Sequence, residues 1–175
     1  FPAEEFLIDR NELEKIGDTQ LMVYYGLLVS SCPMKQVICG LKWRDINWKK
    51  KYMLVKIDNE RSSVLYLDDY TVEKLQLLRK ERKKEGLKRG NIFLTNYNGL
   101  NELSDDTLSY WLNKIKKIVG VEKLTFSIMK RTHYGYLKLS RRFSEKKIKL
   151  IDTHRKFPTD LKDTILEEVN EVLNM

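Results

Sequence analysis

The sequence predicts a mainly α fold carrying a small antiparallel β-sheet (α+β). Apolar residues recur at helical spacing in most of the longer segments, as at Leu108, Trp111, Leu112, Ile115 and Ile118. Only residues 50–67 hold two adjacent β-type runs, Lys50 to Ile57 and Ser62 to Leu67, joined by the polar turn Asp58-Asn59-Glu60-Arg61. Gly, Ser and Asp punctuate the helical stretches where caps belong. With 175 residues, 42% of them hydrophobic and 33% charged, the chain is expected to form a single soluble globular domain over residues 1–175. No apolar run approaches the roughly 20 residues of a membrane span, and no signal peptide is visible. The first residue is Phe1 rather than Met, which leads to the expectation of a preceding region outside this sequence.

In chain order, Ala3 to Lys15 reads as a lead-in and short helix, with Asp9 as N-cap and Glu12 completing a capping box. Gly17 ends it, and Asp18 can cap the next helix, Thr19 to Ser31. That helix is apolar almost all round (Leu21, Met22, Tyr24, Tyr25, Leu27, Leu28, Val29), the mark of a central helix. Pro33 fits the first turn of a short helix, Val37 and Ile38 give it a buried side, and Gly40 sits at its C-cap. Leu41 to Trp48 then alternates, with Leu41, Trp43, Ile46 and Trp48 inward and Lys42, Arg44, Asp45 and Asn47 outward.

After the two β-runs a helix from Tyr70 to about Glu85 buries Val72, Leu75, Leu77 and Leu78 and ends in the charged run Arg79 to Lys84. Ile92-Phe93-Leu94 reads as a short buried strand or turn, and residues 96–103 as a loop. Ser104 is a good N-cap for a helix that ends at Val119 and Gly120, with Lys114, Lys116 and Lys117 off its apolar stripe. Leu124-Thr125-Phe126 leads into a helix from Ser127 to Leu139. A further helix covers about Glu145 to Thr153, and a last amphipathic helix follows Pro158. No repeat and no low-complexity segment is present.

The formal charge is +8, from 33 Lys+Arg against 25 Asp+Glu, and it is unevenly placed. The first 20 residues are acidic, whereas Lys130 to Lys149 carries Lys130, Arg131, Lys138, Arg141, Arg142, Lys146, Lys147 and Lys149 against Glu145 alone. A one-sided basic surface suits a polyanion. Cys32 and Cys39 are seven apart on a stretch read as helical, hence roughly on one face. Without His partners nearby they make no zinc site and read as buried thiols. Neither metal-ligand spacing nor a phosphate-cradling glycine loop appears, so no cofactor is expected.

Two stretches, and the order of elements around them, resemble the catalytic domain of the tyrosine recombinase (phage integrase) family. Ser31 to Ile46 follows the family outline in which a helix ends in Thr-Gly-Leu-Arg-x-x-Glu-Leu and Leu-x-Leu-Arg-Trp-x-Asp-Ile follows. Gly40-Leu41-Lys42-Trp43-Arg44-Asp45-Ile46 is the close part. Leu124 to Thr132 follows the family's Leu-Thr-x-His-x-Leu-Arg-x-Thr. The resemblance implies a recombinase-type catalytic domain, and an N-terminal core-binding domain that would lie outside this sequence. In that family a tyrosine attacks the scissile phosphate, two arginines hold the phosphoryl oxygens, and a lysine and histidines move protons, which combines nucleophilic catalysis with charge stabilisation.

Carried over residue by residue, that machinery is degenerate here. The first arginine position falls on Met34, or on Lys35 if the register shifts by one; the histidine is Ser127; the second arginine is Lys130, with Arg131 beside it. Lys56 is the nearest match to the β-hairpin lysine, and the turn itself offers Asp58 or Asn59. No tyrosine follows Tyr136, and Tyr134 and Tyr136 come too early for the nucleophile. His154 can stand in for the later histidine or lie on the surface. Lysine in place of arginine keeps charge but loses the planar fork, and methionine loses both.

The expected catalytic set is therefore empty, and the expectation is an inactive enzyme. What the resemblance leaves is a double-stranded DNA-binding surface of Lys35, Lys42, Arg44, Lys56, Lys130, Arg131, His133, Lys138, Arg141 and Arg142. Lysines suit phosphate contacts, and Arg131, Arg141 and Arg142 can reach guanine edges. The expected role is a repressor in a phage or mobile element, in the cytoplasm at the bacterial nucleoid. Two other readings stay open: an active but divergent recombinase, and a protein-interaction module. In the second, the C-terminal helix (Leu161, Ile165, Val169, Val172) supports self-association or docks a regulatory protein.

Overall fold

Helix α2 (Thr19–Ser30) is the axis on which the other elements pack, and its sequence explains why. Leu21 through Ser30 are all buried, so no side of the helix is left to water. The Asp18 carboxylate accepts from the Leu21 N–H at 3.1 Å and caps it. The computed structural model describes residues 3–56, 62–87, 90–94, 103–120, 125, 127–131 and 133. The hairpin turn 58–61, most of the loop 96–103, the helices expected over 145–153 and after Pro158, and Lys138, Arg141, Arg142 and His154 lie outside the described residues.

Around α2 stand α1 (Ala3–Ile16), the short α3 (Lys35–Cys39), α4 (Asp69–Lys84) and α5 (Asp105–Val119). Strands β1 (Ile46–Asn47), β2 (Tyr52–Lys56) and β3 (Ser62–Tyr66) form an antiparallel sheet in the order β1-β2-β3. Ile46 opposes Met53, and Met53 opposes Leu65, so one face of the sheet joins the core beneath α2. The expected mainly α architecture with a small antiparallel sheet is the one observed.

Helix α5 follows its sequence closely. Ser104 accepts from the Thr107 N–H, Leu108, Leu112 and Ile115 are buried, and Gly120 closes the helix at φ 75°. Tyr24, Phe93 and Trp111 meet edge-on or tilted at 5.7–6.3 Å between ring centroids, which ties the buried Ile92–Leu94 stretch to α2 and α5.

Several expectations are corrected. Helix α1 starts at Ala3, so Asp9 lies within it rather than at its N-cap. Trp43–Asp45 is a 3-10 turn rather than part of a continuous alternation, held by the Lys42 N–H donating to the Asp45 carboxylate at 3.0 Å. It sets up β1, which the sequence pattern did not separate, and β2 begins at Tyr52, leaving Lys49, Lys50 and Lys51 in a turn. Pro33 precedes the α3 N-cap, Met34. Gly40 is the α3 C-cap, but at φ −99° its backbone does not require glycine.

Cys32, at φ 42°, turns the chain out of α2, so Cys32 and Cys39 do not share a helix face. The two are not joined by a disulfide; Cys32 is buried and Cys39 half-buried. Helix α4 is capped by Asp68 and buries Thr71, Val72, Lys74, Leu75 and Leu78, whereas Leu77 is 40% exposed. The reason is periodic: Leu77 is six residues on from Thr71, well off the arc through 71, 74, 75 and 78.

Candidate nucleic-acid interface

The site begins where α2 ends. Ser30 and Ser31 return their hydroxyls to the Gly26 and Leu27 carbonyls at 2.8 and 3.4 Å, and the Cys32 N–H donates to the Leu27 carbonyl at 2.8 Å. These bonds satisfy the last carbonyls of a buried helix end. They also fix the exit direction, so Met34 packs against the core while Lys35 starts α3. Lys35 is half-buried and its Nζ donates to the Ser109 Oγ of α5 at 3.1 Å. Ser109, on the flank of the α5 stripe, was not singled out from sequence, because nothing local marks it as a partner of a residue 74 positions earlier.

The second stretch is helical at residues 127–131 and 133. Thr125 caps it: its Oγ1 accepts from the Ile128 N–H at 3.2 Å and its carbonyl from the Met129 N–H at 2.9 Å. Met129 is fully buried in the core. One turn on, the Nδ1 of His133 lies 3.1 Å from the Val29 carbonyl oxygen at the end of α2, the geometry of an imidazole N–H donated to that carbonyl. This contact joins two stretches 104 residues apart in sequence and holds the segment around Lys130 against the helix that leads to Met34 and Lys35.

His133 was expected to contact DNA. It is 4% exposed and engaged with Val29, so it is a joint of the scaffold and not a surface residue. Burial follows from Met129: two residues four apart on a helix share a face, and that face is turned into the core. On the other faces of the segment Ser127 and Arg131 are exposed and Lys130 is half-buried. Lys35, Lys130 and Arg131 therefore belong to the two stretches that the structure joins.

Lys42 and Arg44 belong to a different neighbourhood. Lys42 forms an antiparallel bridge with Asn91, and the Trp43 N–H donates to the Gly90 carbonyl at 3.2 Å, beyond the end of α4. Arg44 is exposed and Lys42 half-buried. Lys56 ends β2, opposite Ser62. No group of three or more His, Cys, Asp or Glu side chains able to hold a metal ion occurs among the described residues. None of the described helices is long and apolar enough to cross a membrane.

Burial raises three phenols, the core residues Tyr24 and Tyr66 and the half-buried Tyr70. Burial pushes the Tyr24 phenol far up, and its hydroxyl donates to the Leu108 carbonyl at 3.2 Å. Burial does the same to Tyr66, and Tyr70 is pushed up to about 12 by burial and then by the nearby Glu14 carboxylate.

The helices ranged about α2, the three-stranded antiparallel sheet after α3, and the second motif returned to the end of α2 define a tyrosine-recombinase-like fold. Among solved structures, the crystal structure of XerA recombinase matches 96% of this chain with a TM-score of 0.76 and 15% sequence identity. The chain spans 62% of the length of that protein. No family model and no curated relative matches the sequence. The likeness is thus one of backbone arrangement.

Proposed function

We propose that this chain is a double-stranded DNA-binding protein built on a catalytically inactive tyrosine-recombinase-like fold, acting as a transcriptional repressor of a phage or mobile element. The observation that carries the reading is the His133–Val29 contact. It keeps the two motif stretches together while the positions that would hold and protonate a phosphoryl group carry Met34, Ser127 and Lys130. A lone lysine at such a position offers a point charge and not a bidentate fork. Losing one preorganised donor at a developing oxyanion removes about 3–4 kcal/mol of transition-state stabilisation, and here two arginine positions and a histidine depart from the pattern. Phosphate affinity asks less. Lys35, Lys130 and Arg131 supply positive charge from stretches the scaffold holds together, and such contacts position a duplex without chemistry.

The test is fluorescence-anisotropy binding of the chain to duplex fragments over a salt series. The expected result is a log–log slope of about −0.9 per phosphate engaged, a preferred fragment, and weaker binding with a flatter slope for Lys130→Ala and Arg131→Ala. Binding that ignores salt, or no binding, overturns the DNA reading. A covalent protein–DNA adduct on a nicked suicide substrate overturns the inactive one.

A further inference from the structure

A second basic surface lies away from the site just described, where the β1–β2 turn meets the outer side of α4. The turn carries Trp48, Lys49 and Lys50, and the Arg79 guanidinium of α4 sits 5.7 Å from the centre of the Trp48 ring. That is cation–π range, and it fixes turn and helix as one surface. Lys80 and Lys83 extend it along α4; Lys49, Lys50, Arg79, Lys80 and Lys83 are all exposed. The neighbouring carboxylates are engaged elsewhere: Asp69 with Lys51, Glu73 beside Lys74 at 3.9 Å, and Glu85 with Arg82 at 3.5 Å. Among the described residues no carboxylate pairs with Lys49, Lys80 or Lys83.

Its position is set by the antiparallel packing of α2 and α4. Gly26 abuts Thr71 near one end of the pair, and the Thr19 hydroxyl meets Glu81 at the other. The basic half of α4 therefore flanks the start of α2, while Ser30 to Lys35 follows its end, about 18 Å away along a helix of 12 residues. The turn is likewise at the opposite end of β2 from Lys56.

We infer that this turn-and-helix surface is a second phosphate-backbone contact for duplex DNA, engaged when the duplex is long enough to extend past the first. The inference rests on the DNA-binding reading above. A protein partner fits the surface less well. Protein interfaces are depleted in lysine at their core and rely on buried aromatic anchors, and here the one aromatic residue is already covered by Arg79. Lysines on a rigid helix flank, with Leu77 the one large apolar side chain exposed on α4, match a regularly charged backbone.

The experiment uses the full chain with two duplexes, one about 10 base pairs long and one about 40. The combined variant Lys49→Glu/Lys80→Glu/Lys83→Glu is measured beside Lys130→Ala/Arg131→Ala, with melting curves to confirm folding. The neutral set Lys49→Gln/Lys80→Gln/Lys83→Gln is carried in case charge reversal disturbs the fold. The expected result is about tenfold weaker binding of the long duplex by the first variant, a salt slope shallower by about 3, and little change on the short duplex. Unchanged long-duplex affinity, with Lys130→Ala/Arg131→Ala still weakening both duplexes, overturns the second surface and leaves the first intact. Polyglutamate that binds wild type, is lost in the triple variants and leaves duplex binding untouched assigns the surface to an acidic protein instead. Absence of duplex binding by wild type overturns the DNA reading and this inference with it.

Discussion

Two seams meet on α2, and they are built in opposite ways. Against α4 the approach is so close that a Cβ on Gly26 would lie 2.4 Å from the Thr71 Oγ1. Asp68 fixes the Thr71 side of that seam and ties it to α1: its carboxylate accepts from the Thr71 N–H at 2.8 Å, from the Thr71 hydroxyl and from Arg10 at 2.5 Å. Against residues 127–131 and 133 the described attachment is of another kind: buried Met129 and the His133–Val29 bond. One seam is fixed by shape and satisfied charge. The other is a joint whose exposed side can change without disturbing what lies beneath. Of the degenerate positions, Ser127 is exposed and Lys130 half-buried, whereas Met34 packs against the core. Departures from the recombinase pattern at Ser127 and Lys130 therefore leave the buried contacts of Met129 and His133 in place.

The comparison can be broken most severely at Asp68. Asp68→Ala removes an N-cap and leaves Arg10 without its carboxylate in a half-buried site, and is expected to destabilise by about 3 kcal/mol, read as a lower midpoint in urea unfolding. Gly26→Ala should cost about 2 kcal/mol, since the neighbour it meets is a β-branched side chain held by Asp68. No loss of stability there would show that α4 can shift and that the seam is not sterically fixed.

His133→Ala probes the second seam. It orphans the Val29 carbonyl and is expected to lose about 1–2 kcal/mol, together with DNA affinity out of proportion to that of a surface alanine. Stability lost with affinity unchanged would separate the joint from the interface. The smallest effect is on pH. An unfolded tyrosine ionises near 10.0, while Tyr70 holds its proton up to about 12. The native state thus binds more protons across that window, so stability is full below pH 10 and falls as pH rises towards 12. Tyr24 and Tyr66, raised further, act in the same direction. The difference in tyrosinate absorbance between wild type and Tyr70→Phe during an alkaline melt checks this, and a difference that appears near pH 10 in the folded protein would contradict the shift at Tyr70.

Features set within a few residues of each other were readable in advance. The Asp18 and Ser104 caps, the all-apolar character of α2, the α5 stripe and its glycine stop depend on spacing and local hydrogen bonds alone. The candidate site was readable only in part. Lys130 and Arg131 fall in the helical segment expected from Ser127, beside the end of α2, whereas Lys42 bridges to Asn91 and Trp43 to Gly90. His133 moved from interface to scaffold because burial depends on which face Met129 turns inward.

The sequence by itself determined helices α2 and α5, their Asp18 and Ser104 caps and the identity of the residues at the degenerate positions, because period and capping act over one or two turns. Only the tertiary structure decided that Leu77 is left outside, that Trp43–Asp45 bends into a 3-10 turn, that Ser109 receives Lys35 and that His133 reaches Val29. Each of these pairs or separates residues through contacts between elements. Such contacts are settled by which packing of the apolar faces buries most surface with every buried polar group satisfied, a condition on the whole chain that no local window contains.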